Sequence, residues 1–337
     1  MNENKILHVM ILDKFLAPYI DFVDENFGRD NHHYVFLTSE KYDYELTPEH
    51  KVEFLYTDDD IFITLLKYMK MAKKIILHGL WRDKVDILLY FNQELLKKCY
   101  WVMWGGDFYF PETKSNIRHE VIRNIGNLIT YVKGDYELAQ KWYGANGTYH
   151  ECFMYLSNLY KGYDIKQKKH TTTNIQLGNS ADTSNNHIDV LNQLKKYKDE
   201  DIKIYTPLSY GNQEYSKEVI TYGEELFKNK FIQLTEFMPF YKYLEFLGGI
   251  DISIFAHKRQ QAMGNIITLL GLGKKVYLRQ DITTWQFFLE KEIKVYNIDN
   301  IELELISEQI KKQNQKKIKD YFSENNLKKQ LERLFNE

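Results

Sequence analysis

Cysteine is nearly absent from this 337-residue chain: Cys99 and Cys152 are the only two. Two thiols cannot build a disulfide framework, and neither lies in a metal-ligand spacing, so a reducing compartment is expected. Long apolar runs are missing too. No stretch approaches the ~18 apolar residues of a membrane span. The apolar segment 6–12 contains His8 and is too short and strand-like for a signal peptide. Together these absences predict a cytoplasmic protein. Charge of one sign is also missing: 45 Lys and Arg stand against 47 Asp and Glu, a net charge of −2. Without a basic field, nucleic acid is excluded as a partner. Neither Gly-Lys-Ser/Thr nor Gly-x-Gly-x-x-Gly occurs, which excludes a Walker loop and a dinucleotide fingerprint.

What is present is a globular composition, 44% hydrophobic and 27% charged. The 26 Tyr and 20 Phe suit a polar cleft with rigid amphipathic walls, although an AT-rich genome accounts for most of this excess. The length suggests two α/β domains of roughly 150 residues each.

Apolar periodicity predicts strands over 6–12, 34–38, 52–56, 74–77, 100–104 and 128–132, and helices over 61–71, 83–97, 117–124 and 135–142. A polar, Lys-rich stretch at 158–173 reads as a linker. A second series follows, with strands over 174–177, 202–206, 231–234, 250–255 and 275–278. Its helices are expected over 187–196, 214–227, 240–247 and 265–272. This alternation predicts two doubly wound Rossmann-like units, 1–160 and 174–305, facing each other across a cleft, with a helical tail over 306–337.

Parallel sheets bind ligands at the carboxyl ends of their strands. That rule selects Asp13, His78-Gly79, residues 104–107, residues 178–186, Tyr210-Gly211, Glu236 and residues 257–264. In the loop from Gly178 to Asn186, Gly178 permits a sharp turn, and Asn179, Ser180, Ser184 and Asn185 offer small hydrogen-bonding groups. A helix N-terminus behind them suits a phosphate. Asp182 would oppose an anion and is expected to face outward. A second strand–loop–helix junction carries Arg259, Gln261 and Gly264. Here the guanidinium can grip a diphosphate bidentately, and Gly264 allows close approach. Each loop read alone is also compatible with ordinary helix capping.

In the first half, His78, Asp107 and Asp13 are three candidates for the group that takes a proton from an acceptor hydroxyl, and Trp81 and Trp104 could stack on a sugar ring or a base. A satisfied core histidine and a turn-capping aspartate are the competing readings. In the tail, Ile306, Ile310, Ile318, Phe322, Leu327, Leu331 and Leu334 repeat at helical spacing opposite a lysine-rich face. The plainer reading is a packed terminal helix with solvated lysines. The alternative is a basic amphipathic surface meeting an anionic membrane.

At Trp104-Gly105-Gly106-Asp107-Phe108-Tyr109 and at Gly178-Asn179-Ser180-Ala181-Asp182-Thr183-Ser184-Asn185-Asn186-His187, the chain resembles the TDP-N-acetylfucosamine:lipid II N-acetylfucosaminyltransferases of enterobacterial common antigen synthesis. His78-Gly79, Arg259-Gln260-Gln261 with Gly264, and the order of the motifs from about Leu7 to Trp285 also match. In the matched stretches Ala181 stands for the family's Gly, Asn186 for its Asp and Gly106 for its Ala.

The resemblance implies a GT-B fold with an N-terminal acceptor domain and a C-terminal nucleotide-sugar domain. It makes Gly178, Asn179, Ser180 and Arg259 neighbours of the diphosphate, and Glu236, Phe237 and Met238 a base-recognition region. No metal or other cofactor is expected, since helix ends and side chains can neutralise the leaving group; Asp58-Asp59-Asp60 precedes a helix and reads as capping. The expected function is a bacterial glycosyltransferase that moves a sugar, N-acetylfucosamine-like, from a TDP- or UDP-sugar to a polar or lipid-linked glycan. That work belongs to cell-surface polysaccharide synthesis on the inner face of the cytoplasmic membrane. The alternatives are a GT-B enzyme with a protein or capsule acceptor, a non-catalytic nucleotide-sugar-binding protein, and a two-domain nucleotide-sugar epimerase.

Overall fold

Parallel strands covered by helices on both faces are near-continuous apolar runs, and β-strands buried along their whole length, such as 6–10 and 252–255, mark two such sheets in this chain. The computed structural model describes residues 3–38, 44–163, 165 and 170–336. The chain divides into two units, Met1–Asn158 with Glu324–Glu337, and Leu159–Ser323.

The first unit runs β1 (Ile6–Met10), α1 (Leu16–Val23), β2 (His32–Phe36), β3 (Glu53–Phe54), α2 (Leu66–Met71), β4 (Lys74–His78), α3 (Asp83–Phe91), β5 (Cys99–Val102), α4 (Asn116–Asn124), β6 (Asn127–Ile129), α5 (Lys133–Tyr143) and β7 (Thr148–His150). Its strands lie in the order β3-β2-β1-β4-β5-β6-β7, parallel throughout. Leu7, Val9, Val35, Ile75, Leu77, Trp101 and Leu128 form one core with Leu88, Val121, Ile122 and Ala139. The registers Ile6↔His32 and Ile6↔Lys74 put His8, His32, Tyr34 and His78 on the opposite face.

The second unit runs β8 (Thr173–Leu177), α6 (His187–Leu194), β9 (Ile202–Pro207), α7 (Gln213–Phe227), β10 (Phe231–Leu234), α8 (Phe240–Gly248), β11 (Ile252–Phe255), α9 (Met263–Gly271), β12 (Lys275–Leu278), α10 (Thr283–Glu290), β13 (Tyr296–Asn297) and α11 (Glu308–Tyr321). Its order is β10-β9-β8-β11-β12-β13, again parallel. In both sheets the winding reverses once, between β1 and β4 and between β8 and β11. A ligand crevice belongs at such a switch point.

Three expectations are corrected. No element was placed between 12 and 34, yet α1 starts at Leu16, and Pro18 in its first turn has no intrahelical N–H to lose. The helix expected over 83–97 stops at Phe91, where Asn92 leaves the helical region at φ −132°. The tail is two helices. Here α11 ends at Tyr321 and α12 (Glu324–Asn336) belongs to the first unit. There Lys74 Nζ donates to the Leu334 carbonyl and Gln330 Oε1 accepts from Phe153 N at 3.1 Å. Ile318, Phe322, Leu327, Leu331 and Leu334 are all buried, so this apolar stripe is spent on internal packing. Among the described residues no helix is long and apolar enough to cross a membrane.

Candidate active site

The β8–α6 loop turns at Gly178, whose φ is +68°. A Cβ there would lie 2.5 Å from His187 Nε2 and 2.7 Å from Asn185 Oδ1, so only glycine fits. Asn185, fully buried, is the hub of the loop. Its Oδ1 accepts from Asn179 N at 3.0 Å and from His257 Nε2 at 2.9 Å. Its Nδ2 donates to Ser180 Oγ at 3.3 Å and to the Asp182 carbonyl at 3.0 Å.

The His257 bond ties the loop after β8 to the loop after β11 across the switch point. Two more do the same: Asn186 Nδ2 donates to the Ala256 carbonyl at 2.8 Å, and Ser184 Oγ to Gln261 Oε1 at 2.9 Å. Donation to Asn185 requires the Nε2–H form of His257. Burial, helped by the charge of Arg259, lowers the His257 pKa to about 3 and keeps the ring neutral.

Behind the second loop, α9 begins after Ala262 in the left-handed region at φ 57°, with no acidic residue in its first turn. Its amide end is therefore an uncompensated positive pole. Gly264 and Asn265 lie in that turn, and Tyr243 Oη donates to Asn265 Oδ1 at 2.8 Å. Arg259 and Gln261 are half-buried alongside. Asn179 Nδ2 reaches Tyr210 Oη at 3.0 Å, while its buried Oδ1 has no partner among the described residues. Asp182 turns back on its own loop and accepts from Ser184 N at 2.8 Å.

The structure therefore gathers Gly178, Asn179, Ser180, Ser184, Asn185, Tyr210, Arg259, Gln261 and Gly264 around one junction. Glu236 and Phe237 follow β10, the edge strand two places from β8. Both are exposed, Phe237 by 77%. Sequence reasoning passed over His257 as a partner of Asn185, and Gln176, whose Nε2 donates to the Gly178 carbonyl at 3.0 Å. The available signal for Gln176 was a polar residue set between Ile175 and Leu177 at the end of β8.

In the first unit the three proton-acceptor candidates separate. Asp107 is buried, and its carboxylate accepts from Leu80 N at 3.0 Å, Trp101 Nε1 at 2.8 Å and Trp104 N at 3.2 Å. It fastens the loops after β4 and β5 together and has no face open to an acceptor. His78 is equally buried, with His8 Nδ1 at 3.1 Å from Nε2 and Tyr155 Oη at 2.7 Å from Nδ1. Burial lowers its pKa to about 3, which makes it a poor base. Asp13 is only partly buried. Burial raises its carboxyl above the ordinary value, against the opposing Lys14 charge and the nearby Lys14 and Phe15 amides. Of the three, Asp13 alone combines access with raised basicity.

Phe15, two residues further on, opens an aromatic cluster. Trp81, 37% exposed, lies over Gly79 and Gly106, where added Cβ atoms would come within 2.1 Å and 2.8 Å of its ring. Trp104 packs at 5.6 Å from Trp81 and 4.9 Å from Phe15.

Two switch-point sheets in one chain can be compared with known folds. A glycosyltransferase from Rickettsia africae superposes with TM-score 0.73 at 11% identity, covering 100% of this chain and 98% of that one. Anabaena HepE, solved in complex with UDP and glucose, gives 0.67 at 12% identity over 99% and 100%. The UDP-GlcNAc 2-epimerase of Neisseria meningitidis gives 0.55 at 11% identity over 99% and 100%. The fold is thus that of the GT-B glycosyltransferases. Within that class the assignment is specific, because the pattern of one family matches residues 13–336. The chain belongs to the family described as 4-alpha-L-fucosyltransferase, glycosyl transferase group 56, and is a glycosyltransferase.

Proposed function

We propose that this enzyme transfers an N-acetylfucosamine-like sugar from a TDP- or UDP-sugar to a lipid-linked glycan, on the inner face of the cytoplasmic membrane, in cell-surface polysaccharide synthesis. The observation that carries the donor half is the Asn185 hub, which joins two loops at a switch point beside the N-terminus of α9. Rotating the Asn179 amide keeps the Tyr210 bond, with the hydroxyl donating, and puts a donor at the buried position where Oδ1 has no partner among the described residues. Arg259 and the α9 amides meet the charge that grows on the leaving diphosphate, a role that needs no metal ion. Glu236 and the exposed Phe237 ring supply a face for the base. The UDP found in Anabaena HepE and the family's fucosyl specificity support the donor class.

In the first unit, Asp13 takes the acceptor hydroxyl proton as the new glycosidic bond forms, while the bond between the anomeric carbon and the diphosphate oxygen breaks. Trp81 and Trp104 flank the acceptor ring.

Thermal-shift titration against UDP, TDP, GDP and CMP, followed by transfer assays with lipid-linked and peptide acceptors, tests the reading. UDP or TDP should stabilise the wild type and should not stabilise Asn179→Ala/Arg259→Ala. Undiminished binding by the double variant would refute the donor site. Transfer to peptide alone would refute the acceptor, and binding without transfer to any acceptor would favour a non-catalytic protein.

A further inference from the structure

Three histidines sit side by side on adjacent strands of the first sheet: His32 on β2, His8 on β1 and His78 on β4. They are 2%, 0% and 1% exposed. His8 Nε2 lies 2.9 Å from His32 Nδ1, and His8 Nδ1 lies 3.1 Å from His78 Nε2. His78 Nδ1 lies 2.7 Å from Tyr155 Oη, which receives the Trp104 indole N–H at 3.1 Å.

The direction of this series is determined by its first member. An indole N–H only donates, so the Tyr155 oxygen accepts from Trp104, and its own proton goes to His78 Nδ1, the one acceptor within its reach among the described residues. A neutral His78 must then carry its proton on Nε2 and donate to His8 Nδ1. By the same step His8 donates from Nε2 to His32 Nδ1. All four bonds point one way, so each polarises the next and the tyrosine oxygen becomes a better acceptor for the indole. Tyr19 from α1, 5.1 Å from His78, and Phe335 from α12, 4.8 Å from His32, seal the series from water.

We propose that Tyr155, His78, His8 and His32 are positioning residues: a one-way hydrogen-bond chain that holds the Trp104 ring still as a wall of the acceptor site. The inference rests on the reading that the first unit takes the acceptor. The chain ends at a half-exposed tryptophan packed against Phe15, two residues from Asp13. A stacking ring that is already immobile loses little entropy when a sugar settles on it. Buried imidazoles in series provide that rigidity without placing a charge in the core.

The test begins with the intact wild-type enzyme, its histidines labelled with nitrogen-15, at neutral pH. Long-range proton–nitrogen correlation should find His8, His32 and His78 all neutral and all protonated on Nε2. An Nδ1–H tautomer or an imidazolium at any of the three would overturn the chain. Kinetics then follow for Trp104→Ala, Tyr155→Phe, His78→Ala and His78→Asn. Tyr155→Phe removes only the hydroxyl and should raise the acceptor KM about three- to tenfold, with the nucleotide Kd unchanged and the indole N–H resonance shifted upfield. His78→Asn keeps an acceptor for Tyr155 near the Nδ1 position and should recover part of that loss relative to His78→Ala. If Trp104→Ala leaves acceptor KM unchanged, the acceptor-site reading fails. If Trp104→Ala raises it while Tyr155→Phe does not, the positioning chain fails and the acceptor site stands.

Discussion

His257 Nε2 donates to Asn185 Oδ1 across 2.9 Å, joining loops 72 residues apart in the chain. One fully buried amide therefore holds the two halves of the proposed donor site together.

Replacing that amide strands several partners at once. Asn185→Ala leaves the Asn179 amide and the His257 ring without their acceptor, and each stranded buried group costs about 1–3 kcal/mol. We expect a clear drop in the urea midpoint together with loss of nucleotide binding. Calorimetry on the residual folded fraction at low temperature checks the second effect separately.

Gly178→Ala should destabilise by more than ~1 kcal/mol even though it adds one methyl group. The left-handed φ of +68° and a contact of 2.5 Å to His187 Nε2 act together. Thermal melting measures this, and an unchanged midpoint would show that the turn can relax.

Asp13 and Asp107 are expected to respond oppositely to the same isosteric change. Asp13→Asn removes the proposed proton acceptor and should lower kcat about 10²- to 10⁴-fold with little change in stability or nucleotide affinity. Asp107→Asn turns an amide toward backbone and indole N–H donors and should register first as lost stability. Because burial raises the Asp13 carboxyl, the acid limb of kcat/KM should lie above the ordinary value of an aspartate carboxyl. Activity then falls as pH drops through that value and the base becomes protonated.

Acid should unfold this protein through its histidines. Burial lowers the pKa of His32 and His187 to about 4, of His78 and His257 to about 3, and of His8 well below its usual value, with the neighbouring His32 and His78 adding to the last. The unfolded chain binds these protons near pH 6.5 and the folded chain refuses them. Their stabilisation is thus complete above that pH and is lost as the pH falls toward the folded values. Each contributes up to about 1.4 kcal/mol per pH unit in that window. Urea midpoints at pH 7.5 and pH 5 should differ accordingly, and Tyr155→Phe should leave the slope intact.

Much of this was legible along the chain. Strand 231–234 and strand 275–278 coincide with β10 and β12, because each is a short apolar run closed by turn residues. The Gly178–Asn186 loop announced itself through small polar side chains between a strand and a helix, and Arg259 with Gly264 announced the second. What stayed hidden was pairing. Nothing local distinguishes an Asp107 that spends both oxygens on neighbouring amides and an indole from one that faces substrate. The His78-Gly79 pair reads equally well as a base or as a core histidine until β1 brings His8 beside it. The tail shows one helical stripe, and only the break after Tyr321 sends α12 to the first unit.

The sequence by itself determined two Rossmann-type sheets and a glycosyltransferase family, since periodicity, glycine turns and ordered motifs are properties of neighbours along the chain. Tertiary structure alone decided which groups are open, which are bonded and which are neutral. Those properties depend on burial and on partners many tens of residues away, as between Asn185 and His257 or His8 and His78.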